Sequence, residues 1–337
     1  MPKKILIAGV EGYIGTVLAS HLVDKYDVFG IDTGYYSNSI LYPSISKITT
    51  IKKDIRDVTQ EDVRDAWAVI CLSDLNDPTS QIYPEVTRKI NFEGLKNFAV
   101  ICKKAGVARF LYSSSASVYG FAGDTLMNEQ SPTNPLTPYA QCKVDMERYL
   151  LSIADRNFSI ACMRNATVYG PSPHMRFDLV INALCGSAVA DNIIKLNSDG
   201  GAWRPFVHIE DLCVTFIKVL QLPLVTFSNL IVNVGNGTSG NYRIVDIATI
   251  IQKYTGCSIS VSIENKDRRS YQIDTSLLES LGLTCMRKVE DEILVMLSFF
   301  KKHKLNNMQL HDASFNRTQR IVGLVESGYV DNNLFWR

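Results

Sequence analysis

Short apolar runs and amphipathic stretches alternate along the first half of the chain. The runs 4-KILIA-8, 27-DVFGI-31, 48-ITTIK-52, 67-WAVICL-72, 108-ARFLYS-113 and 158-FSIACM-163 are mostly apolar and of strand length, as expected of strands covered on both faces. Helical patterns are predicted between them, near 13–25, 59–65, 85–105 and 138–155. Strands alternating with helices imply βαβ units and a parallel sheet.

After about residue 165 the pattern loosens. Gly170-Pro171-Ser172-Pro173 breaks the chain, and helices are predicted over 175–189, up to about 221, and near 243–255, 275–281 and 289–302. One further strand is expected at 230-LIVNVG-235. The expected fold class is α/β: a doubly wound parallel sheet over 1–165 and a smaller C-terminal α/β lobe over 166–302, with segments interleaved with the first domain. The polar stretch 303–337 reads as either an ordered arm or a frayed tail.

The first strand ends in 9-GVEGYIG-15, a loop that opens a helix, and the second strand ends at Asp32, 23 residues after Gly9. This is the Rossmann-like dinucleotide fingerprint with its ribose-binding acid. Gly9, Gly12 and Gly15 let backbone approach a pyrophosphate, with Tyr13 and Ile14 at the helix N-terminus supplying N–H groups. Asp32 would accept from the adenosine ribose and repel a 2′-phosphate, which favours NAD over NADP. Asp54 and Ile55 follow the third strand, either facing the adenine or forming a plain strand-end turn. Leu72, Ser73 and Ser113, at the ends of the fourth and fifth strands, complete the expected cofactor wall.

The fifth strand runs into 113-SSSASVYG-120, and Tyr139 and Lys143 follow in 138-PYAQCK-143. Four residues apart, they share one helix face. There an ammonium favours the tyrosine phenolate, which can take a hydroxyl proton while a hydride leaves for nicotinamide. Ser115 can hydrogen-bond the same oxygen. Ser115, Tyr139 and Lys143 are therefore the candidate catalytic residues.

Composition narrows the choice further. Net charge is +1, with 46% apolar and 20% charged residues, so there is no basic field for nucleic acid. No run reaches about 18 apolar residues, and no membrane span is expected. The eight cysteines are dispersed, without CxxC or zinc spacing, as in a cytoplasmic protein with buried reduced thiols and no metal site. No signal peptide is visible.

Residues 3 to 302 resemble the extended short-chain dehydrogenase/reductase superfamily, in its NAD-dependent nucleotide-sugar epimerase/dehydratase family. The carriers are GVEGYIG, Asp32, Asp54, NFEGLKN (91–97), SSSASVYG, YAQCK, RNATVYGP (164–171), RPFVHIEDL (204–212) and RRSYQID (268–274). The resemblance implies that Asn91 steadies the backbone behind the active site and that Tyr169 lies over the nicotinamide. It also implies that Arg204 and Arg269 clamp a substrate diphosphate. Ala116, Ser117, Thr167, Arg176 and Asn182 fall at positions facing substrate. A homodimer through 85–105 and 138–155 is implied as well.

Several positions depart from that pattern. The small residues usual after the fourth strand are replaced by 73-SDLND-77, where Ser73 and Asp74 meet cofactor or substrate, or cap the next helix. Thr167 stands where many relatives carry Asn. The run 172-SPHMRFDLVIN-182 is closer to a branch that includes GDP-heptose 4-dehydrogenases, with His174 and Arg176 facing substrate or lying on a surface loop; His208 reads as structural. Sugar 4,6-dehydratases need an Asp-Glu pair where this chain has Ala116 and Ser117, which excludes dehydration. The expected activity is nucleotide-sugar 4-epimerisation. A 4-dehydrogenase or 4-ketosugar reductase would use the same residues. A non-catalytic NAD-binding regulator would keep the glycine loop but often lose the YxxxK pair.

Overall fold

Ile5 and Ile7 turn to one side of their strand and Leu6 and Ala8 to the other, all without solvent exposure. That alternation, with both faces apolar, makes the first strand the centre of a sheet. In the computed structural model, which describes residues 2–43, 48–262 and 268–337, the strands are β1 (Lys4–Ala8), β2 (Asp27–Asp32), β3 (Thr49–Lys52), β4 (Ala68–Cys71), β5 (Arg109–Ser115), β6 (Phe121–Met127), β7 (Ser159–Asn165), β8 (Thr167–Tyr169), β9 (Ile193–Leu196), β10 (Trp203–His208), β11 (Leu230–Val234), β12 (Asn241–Arg243), β13 (Ser258–Val261) and β14 (Ser270–Ile273). The described residues form a seven-stranded sheet of order β11-β7-β5-β4-β1-β2-β3, parallel at every pairing. The order reverses between β1 and β4, which opens a crevice at their C-terminal ends.

Helices cover both faces. α1 (Tyr13–Leu22) and, later in the chain, α7 (Ile209–Gln221) bury Val17, Leu18, Leu212 and Phe216 on the Ile5 side. On the Leu6 side, Phe98 and Cys102 of α4 (Leu95–Lys104) and Met146 and Leu150 of α5 (Pro138–Ile153) form a second core. Between α1 and α4 lie the short α2 (Asp77–Ile82) and α3 (Pro84–Arg88). The remaining helices are α6 (Val180–Ala190), α8 (Leu224–Phe227), α9 (Ile244–Thr255), α10 (Ser276–Ser280), α11 (Val289–Lys302), α12 (Asn307–Leu310) and α13 (Arg317–Glu326). α6, α9 and α11 pack with three small sheets, β12-β10-β8, β13-β9 and β14-β6, into the second lobe. β11, from beyond residue 165, closes the main sheet.

Three expectations change, and one pair of alternatives resolves. The helix expected at 59–65 is a single 3-10 turn, Glu61–Val63, ended by Asp65 at φ 63°. The long helix expected at 85–105 starts earlier, at Asp77, and is broken at Tyr83 (φ −122°, ψ 62°) ahead of Pro84. It also carries a π segment, Lys89–Gly94, and such bulges mark functional sites. The helix expected from 175 begins at Val180, because the preceding stretch is held extended: Leu41 N–H donates to Pro173 O at 2.9 Å and Phe177 N–H to Phe315 O at 3.0 Å. The 303–337 stretch is an ordered arm, with Ile321, Leu324, Val330 and Leu334 inside the second core.

Gly15 lies in the first turn of α1 against the cofactor loop. A Cβ there would sit 2.2 Å from Gly9 O and 2.7 Å from Val10 O, so backbone, not a flexible side chain, would have to move. Gly15→Ala is expected to cost about 3 kcal/mol, read as a lower urea midpoint with an unchanged m value.

Candidate active site

The crevice at the strand ends is one continuous cleft. Its floor is the loop of Gly9, Gly12, Tyr13, Ile14 and Gly15, with Asp32, Asp54 and Ile55 at one end and Leu72, Ser73, Ser113, Ser115, Ser117 and Tyr139 towards the other. Thr167, Arg176, Arg204 and Arg269 come from the second lobe.

The residues at the loop fit a dinucleotide. Gly9 has φ +85°, and a Cβ on it would meet Ser73 N at 3.0 Å, so glycine keeps the path beside β4 open. Asp32 accepts from Gly34 N–H at 2.8 Å and Glu11 N–H at 3.0 Å. Burial raises its pKa, and the Gly34 and Glu11 N–H groups work against that rise. Asp54 is more heavily engaged. Its oxygens accept from the backbone N–H, Nε and guanidinium NH2 of Arg56 at 2.7–2.8 Å and from Tyr35 O–H at 3.3 Å. It lines the cleft as a neutralised wall rather than an open acceptor.

The Lys143 ammonium is the focus of the other end. Its side chain is 2% exposed, its Nζ lies 2.7 Å from Asp74 Oδ2 and donates to Ser113 O at 2.5 Å, and it sits 5.2 Å from the centre of the Tyr139 ring. α5 brings the two together one turn apart. Its N-cap Thr137 accepts from Ala140 N–H at 3.2 Å and donates to Asp77 Oδ2 at 3.0 Å. Burial lowers the Lys143 pKa, but Asp74, Tyr112 and Tyr139 outweigh it and hold the ammonium charged. For Tyr139, burial raises the phenol pKa, Lys143 lowers it, Asp74 and Asp77 raise it again, and a Ser115 hydrogen bond lowers it. The net shift is upward, the opposite of the expectation from the YxxxK spacing alone. The physical reason is first burial of the phenol, to which the carboxylates of Asp74 and Asp77 add against the Lys143 ammonium. Arg269 in turn donates to Asp77 Oδ2 at 2.5 Å, and Arg204 donates to Arg269 O at 2.5 Å.

Several of the residues singled out in the sequence stand behind the cleft wall. Asn91, in the π segment, closes a ring on Leu75: its Oδ1 accepts from Leu75 N–H and its Nδ2 donates to Leu75 O, each at 2.8 Å. It positions the 73–77 turn and does not reach the cofactor surface. Asn182, fully buried, donates to Tyr13 O–H at 3.1 Å and accepts from Gly170 N–H at 3.0 Å. Tyr169 is buried edge-on to His208, 5.2 Å between ring centres, and Ala116 is 1% exposed. These three are packed into the second-lobe junction, away from the cleft surface. Arg176 lines the cleft in a fork with Asp178, at 3.0 and 2.9 Å. Sequence reasoning missed Arg317, Tyr36 and Asp178, which also line it.

Residues 5–235 match the model of the NAD dependent epimerase/dehydratase family. The UDP-glucose 4-epimerase of Bacillus subtilis is 25% identical over 334 residues, covering 85% of this chain and 94% of that protein. Among solved structures, MoeE5 in complex with UDP-glucuronic acid and NAD superposes with TM-score 0.77 at 23% identity, covering 89% of this chain and 99% of the other. The dTDP-glucose 4,6-dehydratase DesIV of Streptomyces venezuelae, with NAD and TYD bound, does so with TM-score 0.79 at 19% identity, covering 92% and 99%. At those identities the two structures establish the shared fold. No helix among the described residues is long and apolar enough to cross a membrane.

Asp74→Asn removes one of the charges that raise the Tyr139 phenol. If the deprotonated phenol is the base, activity rises with pH through its pKa, so a lower pKa moves that rising limb to lower pH. The expected displacement in log(kcat/KM) against pH is about one unit. An unmoved limb would show that Asp74 does not act on Tyr139.

Proposed function

Because the chain belongs to the NAD dependent epimerase/dehydratase family, we propose that it is a nucleotide-sugar 4-epimerase that retains NAD through turnover. The observation that carries this reading is the placement of Tyr139 and Ser115 in the same cleft as Arg204 and Arg269. Two guanidiniums suit a diphosphate, and a substrate anchored there keeps its sugar free to turn in front of Tyr139.

The chemistry supplied by bound NAD is reversible acceptance of the hydride of sugar carbon 4. The rest belongs to the chain. Tyr139, as phenolate, takes the proton of the 4-hydroxyl; Ser115 hydrogen-bonds that oxygen; Lys143, held by Asp74 and Ser113 O, stabilises the phenolate. After the ketosugar turns, the same phenol returns the proton and the opposite configuration results. Ala116 and Ser117 supply no carboxylate for proton transfer at carbons 5 and 6, so the reading stops short of dehydration.

One observation favours a second reading. With the phenol pKa raised by burial and by Asp74 and Asp77, Tyr139 is suited to donating a proton to a keto oxygen, as in a 4-ketosugar reductase or, reversed, a 4-dehydrogenase. We further infer a cytoplasmic homodimer, paired through α4 and α5 as in the resemblance above. Light scattering is expected to return twice the chain mass.

Proton NMR of the enzyme with UDP-, GDP-, CDP- and dTDP-sugars and excess NAD separates the readings. An isomeric sugar without accumulated NADH supports the epimerase, and a ketosugar with matching NADH supports the dehydrogenase. In either case Tyr139→Phe is expected to lower kcat by about 10²–10⁴ with little change in KM. Full activity in that variant would remove Tyr139 from the mechanism.

A further inference from the structure

The C-terminal arm closes over the loop that follows Asp32. Arg320 Nε donates to Tyr35 O at 2.9 Å, Trp336 Nε1 to Thr33 O at 2.8 Å, and Tyr35 O–H to Leu334 O. Arg56, which holds Asp54, donates to Asn333 O at 2.8 Å and stacks 3.6 Å from the centre of the Phe335 ring. The arm thus surrounds the end of the cleft where the adenosine half of a dinucleotide belongs.

At the start of α13 this arm sends a cation into the cleft. Arg317 is 3% exposed, yet it lines the cleft. Its guanidinium lies 3.9 Å from the centre of the Tyr36 ring, and NH1 donates to Ser39 Oγ at 3.1 Å. Its NH2 has no hydrogen-bond partner, and among the described residues no carboxylate forms an ion pair with it. The acids that face it are already engaged: Asp178 is forked by Arg176, and Asp32 accepts from Gly34 and Glu11 N–H. Ser39 also meets His174 Nδ1 at 3.3 Å, and burial lowers the His174 pKa, which favours the neutral ring.

A buried guanidinium without a counter-charge is costly. Burial and the neighbouring Arg176 pull its pKa down to about 10, so at neutral pH it remains charged. A buried cation of this kind, lining a cleft and keeping an unsatisfied donor, is what an anionic ligand would compensate. The cleft position selects the anion. Arg317 stands between the loop after the ribose acid Asp32 and the 172–179 strap. That strap is tied to α1, since Ser172 Oγ donates to Tyr13 O at 2.8 Å. A dinucleotide with its ribose at Asp32 and its pyrophosphate over the N-terminus of α1 would cross this gap.

We propose that Arg317 binds the NAD pyrophosphate opposite the α1 N-terminus, making the C-terminal arm a clasp on the cofactor. The inference rests on NAD as the ligand of this cleft. It gives the 303–337 arm a function that its polar sequence does not announce.

The test uses full-length protein freed of cofactor. Calorimetric titration with NAD, ADP-ribose, adenosine and UDP compares the wild type with Arg317→Gln and Arg317→Lys, with melting curves to check folding. Arg317→Gln is expected to weaken NAD and ADP-ribose by about 10- to 100-fold while leaving adenosine and UDP unchanged. Arg317→Lys, which keeps the charge but loses the fork, is expected to fall in between and serves if the Gln variant does not fold. In the wild type, inorganic pyrophosphate is expected to compete with NAD. Weakened UDP binding with unchanged NAD binding would assign the arginine to the substrate diphosphate and overturn the proposal. NAD binding within twofold of wild type in both variants would overturn it as well, leaving the arm a structural strap. Failure of wild-type protein to bind NAD at all would instead remove the cofactor reading beneath it.

Discussion

A full positive charge at the centre of a protein is tolerable only if something holds it there, and the active end of this cleft is organised around that requirement. Lys143 Nζ is fixed by Asp74 Oδ2 at 2.7 Å and Ser113 O at 2.5 Å. Desolvating an ammonium costs several kcal/mol, recovered only by good pairing, so the positions of β5, of the turn after β4 and of α5 become mutually dependent. Asn91 fixes the turn by capturing Leu75 from the π segment, and Ser113 Oγ is in turn held by Asn165 Nδ2 at 2.9 Å. Behind them, Glu147 pairs with Arg164 at 2.8 Å and accepts from Ser114 Oγ at 2.5 Å, so the buried acid on the inner face of α5 is satisfied. The chemistry proposed for Tyr139 depends on this frame more than on Tyr139 itself.

The cleft also divides its charges by function. At the active end, Asp74 and Asp77 counter Lys143 and Arg269. Beside the 172–179 strap, Arg176 and Arg317 meet one carboxylate, Asp178, while Asp32 further along is answered by backbone N–H groups and Asp54 by Arg56. A ligand with a central diphosphate and a neutral reacting hydroxyl matches that distribution.

Much of this was legible in the chain because local pattern and global position coincide. Apolar runs read as buried parallel strands, and those runs are β1 to β5 and β7. The GxxGxxG loop followed by Asp32 needs only strand-turn-helix context, and Tyr139 and Lys143 need only helical spacing. What was hidden depends on long-range encounters. Asp74 meets Lys143 across 69 positions, and nothing local marks it as the partner of an ammonium. The strap at 172–179 has apolar residues at helical spacing, yet its hydrogen bonds with Leu41 and Phe315 hold it extended. The arm looks soluble because α13 buries only Arg317, Ile321 and Leu324. An arginine at its first turn is indistinguishable, by sequence, from one in water.

The hydrogen bond from Tyr35 to Leu334 joins residues 299 positions apart. At a synthesis rate of about 5–20 residues per second, Tyr35 waits about 15–60 s for that partner. For that interval the β1-β2-β3 edge and its glycine loop lack their enclosing side. Contacts of such sequence separation also form late during folding. A nascent chain that captured its cofactor before the arm arrived would offer the arm a template to close upon, so ligand supply during translation would set how quickly the last part of the molecule finds its place.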